Sequence, residues 1–525
     1  MKNKFSKTEK SWILYDWANS VYATIIMAAV FPIYFSNVAK SAGAAGDVWW
    51  GYATSAATFL VAVSAPLLGA IGDFRGMKKR LFTAFLFTGA LATLLLAFTG
   101  NMGLMLLGYM LSYIGFAGSN LFYDSFLTDV TTPERMDRVS AYGYGFGYIG
   151  GSTIPFLISI GLITFGGSFG IDGVLAVKIS VVLTTLWWLA FSIPFLKHVN
   201  QVHYVEIPPS NLIRHAFKSL FATFRDIIST KKMRVFILAY FFYIDGVGTI
   251  IHMATSYGST LGLDSTKMIL ALLVTQLIAF PCSIGYSKLS SKTGTVNMLC
   301  AGIAIYSVVC FVGFFMGFHL EPHQAAYEQR YEEVLSENQG SLPAAAVLRL
   351  SLEGKTLLSA ASREEKFLAL AREIGEDYQL GKNQDFENLI QNTGDFLSDR
   401  YLSQSYDGAL QLSTLLFWLL SALVGTSQGG IQALSRSYFG KIIPPERSNE
   451  FFGFFDIFGK FAAVVGPGLY AFFASLTGRS SIGIISLLLL FIVGGVILIA
   501  NRRLLAEEQT VINTGDAENV QNLRF

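Results

Sequence analysis

The sequence has few charged residues: aspartate, glutamate, lysine and arginine make up only 14% of its 525 residues. A soluble domain of ordinary composition carries about 25% charged residues, so this scarcity excludes a soluble globular protein. Cysteine is also rare, and its three copies, Cys282, Cys300 and Cys310, lie in or beside apolar segments. These positions predict buried thiols rather than a disulfide framework.

Further absences narrow the function. The chain has no Walker-type nucleotide loop, and its six histidines show neither metal-ligand spacing nor a Ser-His-Asp pattern. ATP as a direct driver and a membrane-embedded enzyme are therefore disfavoured. Basic and acidic residues nearly balance, 38 against 36, and the acidic ones are concentrated in residues 319–407. We predict no catalytic site, no metal, no cofactor and no nucleic-acid partner.

Apolar segments dominate what is present. Hydrophobic residues make up 52% of the chain, and runs of about 20 of them, the length of a membrane-spanning helix, recur along it. We therefore predict an all-α polytopic membrane protein with twelve transmembrane helices in two six-helix halves. The predicted divisions are an N-terminal half at 1–196, a linker at 197–232, a C-terminal half at 233–318 and 408–501, an insertion at 319–407 and a tail at 502–525.

Lysine and arginine are concentrated in every second loop, which orients the chain. The basic side includes the N-terminus, the loop at 72–80 and the segment at 197–232. By the positive-inside rule, both termini are predicted to be cytoplasmic in the cell (inner) membrane, and the insertion extracytoplasmic. We expect the insertion to be a small helical cap, or else a tolerated loop with no chemistry of its own.

A segment near residue 118 returns near residue 430. Residues 118–155 align without a gap on 430–467, and each copy carries a Pro-Glu-Arg turn, at Pro133 and at Pro445 respectively. An internal repeat of whole spans is typical of solute transporters, so we predict a duplicated six-helix unit. The copies differ at charged positions: Asp124 aligns with Arg436, Tyr144 with Asp456, and Tyr148 with Lys460.

The loop at 72–80 reads Gly-Asp-Phe-Arg-Gly-Met-Lys-Lys-Arg, with two glycines that permit a tight turn. Asp73 is expected either to meet Arg135 or Arg138 in the next basic loop or to cap a helix N-terminus. Such a cluster would latch one conformation and release it in another, whereas the alternative is a simple topology anchor. The predicted latch comprises Gly72, Asp73, Gly76, Lys78, Arg80, Arg135 and Arg138.

This loop resembles the signature loop of the major facilitator superfamily. Residues 15–20 (Tyr-Asp-Trp-Ala-Asn-Ser), 242–250 and 427–436 resemble segments of its Atg22-like, vacuole-effluxer branch. The resemblance covers all twelve spans but not the insertion, and it implies transport by alternating access, with eukaryotic relatives exporting amino acids from the vacuole. The loop at 285–294 stands where a second signature loop would be and lacks the aspartate, so a weaker latch is expected there.

Polar residues inside apolar spans must face the bundle interior because they are costly in lipid. Helical spacing places several of them on shared faces, which predicts one central cavity. The substrate or coupling candidates are Asp16, Asn19, Asp245, Thr249, His252, Gln276, Gln428, Gln432, Asp456 and Lys460. Asp245 is the proposed proton-coupling residue, with a permanently paired structural role as the alternative.

These observations favour a secondary active transporter of a small, amino-acid-like solute. Export and movement with protons are expectations, and a monomer in contact with membrane lipids is the expected state. A transporter of lipids or amphiphiles is the nearest alternative, because aromatic residues are frequent in the spans. An integral-membrane enzyme and a receptor that uses the acidic insertion are two further possibilities, and no motif in the sequence favours either of them.

Overall fold

The computed structural model describes residues 4–44, 46–206, 212–360 and 362–506, so most of the predicted tail lies outside the described residues. Within them the secondary structure is helical, apart from one isolated bridge between Phe74 and Val205. Twelve helices are long and apolar enough to cross a membrane, which confirms the predicted number. In chain order the spans are Lys7–Ser41, Val48–Gly72, Met77–Leu96, Met102–Val130, Pro133–Phe169, Gly173–His198, Lys231–Thr260, Thr266–Thr293, Thr295–Asn338, Ser403–Ile442, Pro445–Thr477 and Ser480–Ala500.

The spans form the two predicted six-helix halves. In the first half, the first span packs on the fifth and sixth, and the third packs on the fourth and sixth. In the second half, the seventh span packs on the eleventh and twelfth, and the tenth packs on the eighth and ninth. The halves meet where the second span faces the eleventh and the fifth faces the eighth and tenth. We call the side with the 73–76 loop and the 199–230 segment the basic face, and the side with the insertion the cap face.

Glycines in the fifth span allow the first span to cross it closely. A Cβ atom at Gly150 would lie 1.8 Å from the ring of Trp17, and one at Gly143 would lie 2.4 Å from the carboxylate of Asp16. Only a residue without a side chain fits such a crossing, as in other membrane helix pairs. The first span also contains a π-helical turn at Ala23–Ala29, and the fifth span contains one at Gly147–Thr153. Such turns are frequent at functional sites.

The linker contains one described helix, Leu212–Ser229, which we call the linker helix. It lies against the second and seventh spans at the basic face. Asp226 accepts a hydrogen bond of 2.8 Å from Arg447 at the start of the eleventh span, and Thr223 contacts the same guanidinium. The linker helix is therefore tied to the second half by charge as well as by packing.

The insertion forms a small helical cap. The ninth span continues as an unbroken helix to Asn338, past the predicted boundary at residue 318, and the cap adds the helices Ala344–Lys355, Arg363–Asp377 and Gln384–Ser398. Tyr331, Phe367 and Leu389 are fully buried where these helices meet. The cap thus has an apolar core of its own, and it rests on the ninth and tenth spans.

Two arginines hold the cap in different ways. Arg363 donates two hydrogen bonds of 2.8 Å to the carboxylate of Asp407 on the tenth span, and its side chain is 13% exposed. Arg349 contacts three carboxylates, but those partners are 47%, 63% and 55% exposed. A bidentate pair that is sheltered from water is worth more than several exposed pairs.

We predict that Arg363→Ala destabilises the cap by about 1–3 kcal/mol, whereas Arg349→Ala has a smaller effect. The physical reason is the smaller exposure of the Arg363 pair. Hydrogen exchange of the backbone amides in residues 363–398 measures both effects. Equal protection in the two variants, or a larger loss in Arg349→Ala, would contradict the prediction.

Candidate functional site

The two halves are joined near the basic face. Among the described residues, every hydrogen bond between the halves lies between that face and a buried arginine of the tenth span, Arg436. Further toward the cap side the contact between the halves is mainly one of packing, with the ring of Tyr148 against Gly429 and next to Gln428. The arrangement is therefore closed at the basic face, and the site consists of the polar groups that close it.

Arg436 is the centre of this interface, and its side chain is only 3% exposed. Its guanidinium donates to Asp124 at 2.8 Å and to Asp16 at 3.2 Å, both in the first half. It also donates to the hydroxyl of Ser140 at 2.9 Å and to the carbonyl of the same residue at 3.1 Å. Acceptors of one half thus surround a cation of the other, which compensates the cost of burying that charge.

Aromatic rings of the first half complete the surroundings of Arg436. The guanidinium lies 4.7 Å from the ring centre of Trp12, 5.4 Å from Tyr123 and 4.4 Å from Tyr144. The hydroxyl of Tyr123 also donates to Asp16 at 2.7 Å, which fixes the carboxylate that Arg436 contacts. Cation–π contacts of this kind add to the ion pairs where water is excluded.

Two serine contacts closer to the basic face are related by the internal repeat. Ser125 donates to the amide oxygen of Asn449 at 2.5 Å, and Ser437 donates to the carboxylate of Asp137 at 2.6 Å. In the alignment of the repeat, Ser125 corresponds to Ser437 and Asp137 corresponds to Asn449. One contact is therefore the image of the other across the two halves. We call them the first lock (with Asn449) and the second lock (with Asp137).

Asp73 belongs to the first lock. Its Oδ1 accepts hydrogen bonds from the backbone and side-chain nitrogens of Asn449 at 2.9 and 2.8 Å, and its Oδ2 accepts from the backbone of Glu450 at 3.2 Å. The carboxylate therefore caps the start of the eleventh span, in the opposite half. Burial raises the pKa of Asp73 to about 7, although the nearby Lys78 acts in the other direction.

The second lock takes its carboxylate from the other half. The loop at 285–294 lacks an aspartate, but Asp137 of the fifth span reaches it and accepts hydrogen bonds from Ser290 at 3.1 Å and Thr295 at 2.7 Å. Lys441 adds an ion pair to Asp137 at 2.5 Å. The expectation of a weaker latch considered only the loop, whereas the structure gives this lock four partners around one carboxylate.

Lys78 is fully buried beside the first lock. It pairs with Asp129 at 2.6 Å within its own half and donates to the hydroxyl of Ser448 at 2.9 Å in the other half. His203 lies 3.3 Å from Asp129, and this contact raises the pKa of the imidazole. Lys78, at the end of the predicted latch loop, thus contacts Asp129 of its own half and Ser448 of the second half.

The two arginines predicted to meet Asp73, Arg135 and Arg138, contact other residues of the first half. Arg135 pairs with Glu9 of the first span, donating to its two carboxylate oxygens at 2.7 and 2.8 Å. Arg138 lies over the rings of Phe5 and Tyr142. These contacts hold the first and fifth spans together, so the two arginines brace one half rather than the interface.

The remaining predicted latch residues shape the loop. Gly72 ends the second span, and a Cβ atom there would lie 2.6 Å from the ring of Phe122. Gly76 adopts a left-handed conformation (φ 74°) just before the third span, which explains the need for glycine. Arg80 lines a surface cleft on the outer side of the first half.

Asp245 and Thr249 are buried in the second half, against the eleventh span. Each is 1% exposed, and a Cβ atom at Gly466 would lie 2.8 Å from the Asp245 carboxylate and 2.0 Å from the Thr249 hydroxyl. Neither carboxylate oxygen has a hydrogen bond of good geometry among the described residues, although the Thr249 hydroxyl and the Gly466 backbone N–H lie close to the carboxylate. His252 lies two turns further along the same span and is exposed.

The predicted glutamines lie in the second half, apart from the candidates of the first span. Gln276 and Gln428 line a cavity of about 90 Å³ inside the second half, and the Oε1 of Gln276 lacks a partner within the described chain. Gln432 is half-buried one turn further on, and Asn19 donates to Asn120 within the first half at 2.6 Å. In this closed arrangement the candidate residues therefore do not line one central cavity. They lie in separate polar regions of the two halves.

Asp456 and Lys460, two of the substrate or coupling candidates, form an ion pair one turn apart on the eleventh span. Their side chains are 30% and 16% exposed, and Asp456 is near enough to Asp124 for the two carboxylates to repel each other. These half-exposed charges lie next to the Arg436 cluster. Their side chains are more exposed to solvent than that of Arg436, which is only 3% exposed.

Three central residues were absent from the predicted site: Arg436, Asp137 and Asn449. Arg436 carried a signal, because an arginine in the apolar tenth span is costly unless it is paired. Asp137 and Asn449 lie in the first turns of spans at the basic face, where polar residues are ordinary, so only the alignment of the two copies could have drawn attention to them.

Twelve spans in two halves that close at one face around buried charges define a major facilitator superfamily transporter. The family model described as "Vacuole effluxer Atg22 like" matches residues 50–336 and 413–503, and the chain belongs to this family. The matched ranges omit most of the cap.

Individual relatives agree with this assignment. The chain is 39% identical over 505 residues to the "Uncharacterized MFS-type transporter YxiO" of Bacillus subtilis (strain 168), with 95% of each chain covered. It is 23% identical to Autophagy-related protein 22-1 of Aspergillus terreus, over 35% of this chain and 34% of that protein.

Among solved structures, the human organic anion transporter MFSD10 (TETRAN) has a TM-score of 0.57 at 13% identity, covering 94% of this chain and 99% of that one. A bacterial ferroportin homologue in an outward-facing state has a TM-score of 0.55 at 11% identity, covering 95% and 98%.

We predict that Arg436→Gln lowers the free energy of unfolding by about 3–5 kcal/mol, because Asp16 and Asp124 lose their cation in a buried place. Thermal unfolding of the purified protein measures the loss. In Arg436→Gln/Asp124→Asn one of the orphaned charges is gone, so part of the stability should return. Additive losses in the double variant would show that the two side chains are not coupled.

A pH dependence follows from Asp73. In the closed arrangement its pKa is about 7, whereas a carboxyl exposed to water titrates near 3.9. The closed state therefore binds the proton more tightly; its proton-linked stability is present at about pH 4 and is lost as the pH rises through about 7. The charged neighbours are Lys78 and Glu450.

Maleimide labelling of a Met136→Cys variant tests this, in a background without the native cysteines. Met136 is buried between the halves, against Gly440, so opening of the basic face exposes it. After correction for thiol ionisation, labelling should be several-fold faster at pH 8 than at pH 5.5, and Asp73→Asn should remove the difference. An unchanged pH response in Asp73→Asn would assign the effect to another group.

Proposed function

We propose that this transporter exports a small zwitterionic, amino-acid-like solute by alternating access, with the two halves rocking about a site near the membrane midplane. The supporting observation is a set of opposite charges that stay partly exposed between the halves: Asp456, Lys460 and Asp124, whose side chains are 30%, 16% and 30% exposed. Lys460 is twelve residues into the helix that begins at Ser448, or about 18 Å from its start, close to the middle of a bilayer about 30 Å thick.

A zwitterion fits these charges chemically. Its ammonium group would compete with Lys460 for Asp456, and its carboxylate would compete for Lys460 or, after opening, for Arg436. Binding would thereby replace an ion pair within the protein by pairs with the solute, which limits the cost of drawing charges out of water. An apolar cargo has no group to replace these pairs, so the charges favour a polar solute over a lipid.

Asp245 supports a coupling role for protons. A charged carboxylate buried without a partner costs several kcal/mol in an apolar environment, and a protonated one costs much less. In this closed arrangement Asp245 suits the protonated form, against Thr249 and Gly466. Rearrangement of the eleventh span would expose the carboxyl group and release the proton.

The direction of transport and the orientation in the membrane are also proposed. Export follows the description of the family as a vacuole effluxer. The basic face is assigned to the cytoplasm of the cell membrane by the positive-inside rule, so the arrangement with a closed basic face would accept or release solute on the opposite side. The functional unit is proposed to be a monomer, since each chain carries both halves.

Transport by the purified protein in liposomes tests the proposal, with labelled amino acids, peptides and lipids, each with and without a pH gradient. We expect amino-acid movement that the gradient accelerates, and at least a tenfold loss of gradient-driven accumulation in Asp245→Asn with exchange at equilibrium retained. Asp395→Asn, which removes an exposed carboxylate of the cap, is the matched control and should transport normally.

The outcomes separate the hypotheses. Wild-type accumulation by Asp245→Asn would exclude coupling at that residue but leave the zwitterion site intact. Movement of lipids rather than amino acids would favour the amphiphile transporter. Conversion of a substrate without movement across the bilayer would indicate an enzyme.

A further inference from the structure

A cleft of about 810 Å³ lies on the basic face, on the outer side of the first half. One wall is the loop before the third span together with the first turns of that span, and the other is the segment after the sixth span. Arg75, Lys79 and Arg80 lie on the first wall, and Asn200, Gln201 and Tyr204 lie on the second. Neither the charge cluster around Arg436 nor the two locks include this cleft.

The cleft carries positive charge without acidic partners. Among the described residues, no carboxylate lies within ion-pair distance of Arg75, Lys79 or Arg80, although sixteen such pairs occur elsewhere. Lys79 donates to the side-chain oxygen of Asn200 at 2.7 Å, and Arg75 lies over the ring of Tyr204. Three cations held in a concave site are suited to bind an anion.

The backbone adds to this preference. The third span begins at Met77 in the wall of the cleft, and its N-cap, Gly76, has no side chain to accept the free N–H groups. The first turn of a helix without a capping side chain attracts phosphate oxygens. Gln201 holds the two walls together: its side-chain amide donates to the backbone carbonyls of Gly72 at 3.1 Å and Asp73 at 3.4 Å.

An apolar path leads from the cleft into the membrane. Ala84 and Phe87 line the cleft, Leu91 and Leu95 continue the same face of the third span toward the cap side, and Phe98 follows in the turn after that span. Phe87 is 44% exposed, and the last three are 57%, 64% and 75% exposed. A row of exposed apolar side chains on a membrane helix faces lipid.

We propose that this cleft binds the phosphate headgroup of an anionic phospholipid, with an acyl chain along the apolar face of the third span. The shared chemistry is a phosphate ester, which a soluble metabolite also carries, but the continuous apolar path favours the lipid as its source. Basic pockets at the cytoplasmic ends of spans are suited to such headgroups.

The position of the cleft links lipid binding to the first lock. The backbone of Arg75 donates to the carbonyl of Val205 at 3.2 Å, and the backbone of Val205 donates to the carbonyl of Asp73 at 2.8 Å. A headgroup that contacts both walls would hold the segment after the sixth span on the loop that carries Asp73. Bound lipid would therefore support the backbone of the loop that carries Asp73.

Native mass spectrometry of the full chain, titrated with a short-chain phosphatidylglycerol, tests the proposal. We expect saturable binding at least tenfold tighter than that of the matching phosphatidylcholine. Lys79→Gln/Arg80→Gln should weaken phosphatidylglycerol binding at least tenfold. The matched control is Lys288→Gln/Lys292→Gln, which removes two exposed charges from the corresponding loop of the second half and should change binding less than twofold.

A second variant and a competition experiment complete the test. Arg75→Gln should weaken the lipid even if the double variant folds poorly. Equal binding by wild type, the Lys79→Gln/Arg80→Gln variant and Arg75→Gln would overturn the site. Displacement of the lipid by equimolar inorganic phosphate or glycerol 3-phosphate would overturn the lipid as occupant and assign the cleft to a soluble phosphate.

Discussion

The structure depends on how one buried cation is shared. Arg436 belongs to the second half, yet Asp16, Asp124 and Ser140, the acceptors around it, belong to the first. If the halves separate at the basic face, both the cation and its carboxylates need new partners, and each unpaired charge costs several kcal/mol in an apolar environment. Water or a charged solute can supply those partners. The same interaction that closes the transporter therefore also makes opening depend on what enters between the halves.

The two locks show how a duplicated unit came to serve one interface. In both, a serine of one half meets the start of a span in the other, and the serines occupy equivalent positions in the repeat. The carboxylates, however, are placed differently: Asp73 lies in a loop of the first half, and Asp137 lies on a span of the same half. Both of these carboxylates thus come from one half, and the groups that donate hydrogen bonds to them from the second half are backbone N–H groups, an amide, hydroxyls and Lys441. Asp124 and Arg436, also equivalent in the repeat, extend this division to the centre of the interface.

Hydropathy was sufficient to predict the spans, because each needs about 20 apolar residues to cross the bilayer. The pair Asp456–Lys460 was predictable because it is local to one helix. The contacts of Arg436 were not, since helical spacing tells which residues share a face but not which helix that face meets. The same limit explains why Asp245, Gln276 and Asp16, expected around one cavity, lie in separate places. Asp73 was assigned to a latch from its motif, but its partner, the start of the eleventh span, required the docked halves.

The central claim is that polar contacts at the basic face hold the two halves in the closed arrangement. Pulsed electron resonance between nitroxide labels at Thr132 and Ser291, exposed residues of opposite halves at that face, measures their separation directly. In Ser125→Ala/Ser437→Ala, which removes the serine hydroxyl from both locks with little change of volume, the distance distribution should shift to longer values than in the wild type. An unchanged distribution in a folded double variant would contradict the account, because the halves would then stay together without the contacts that are held to close them.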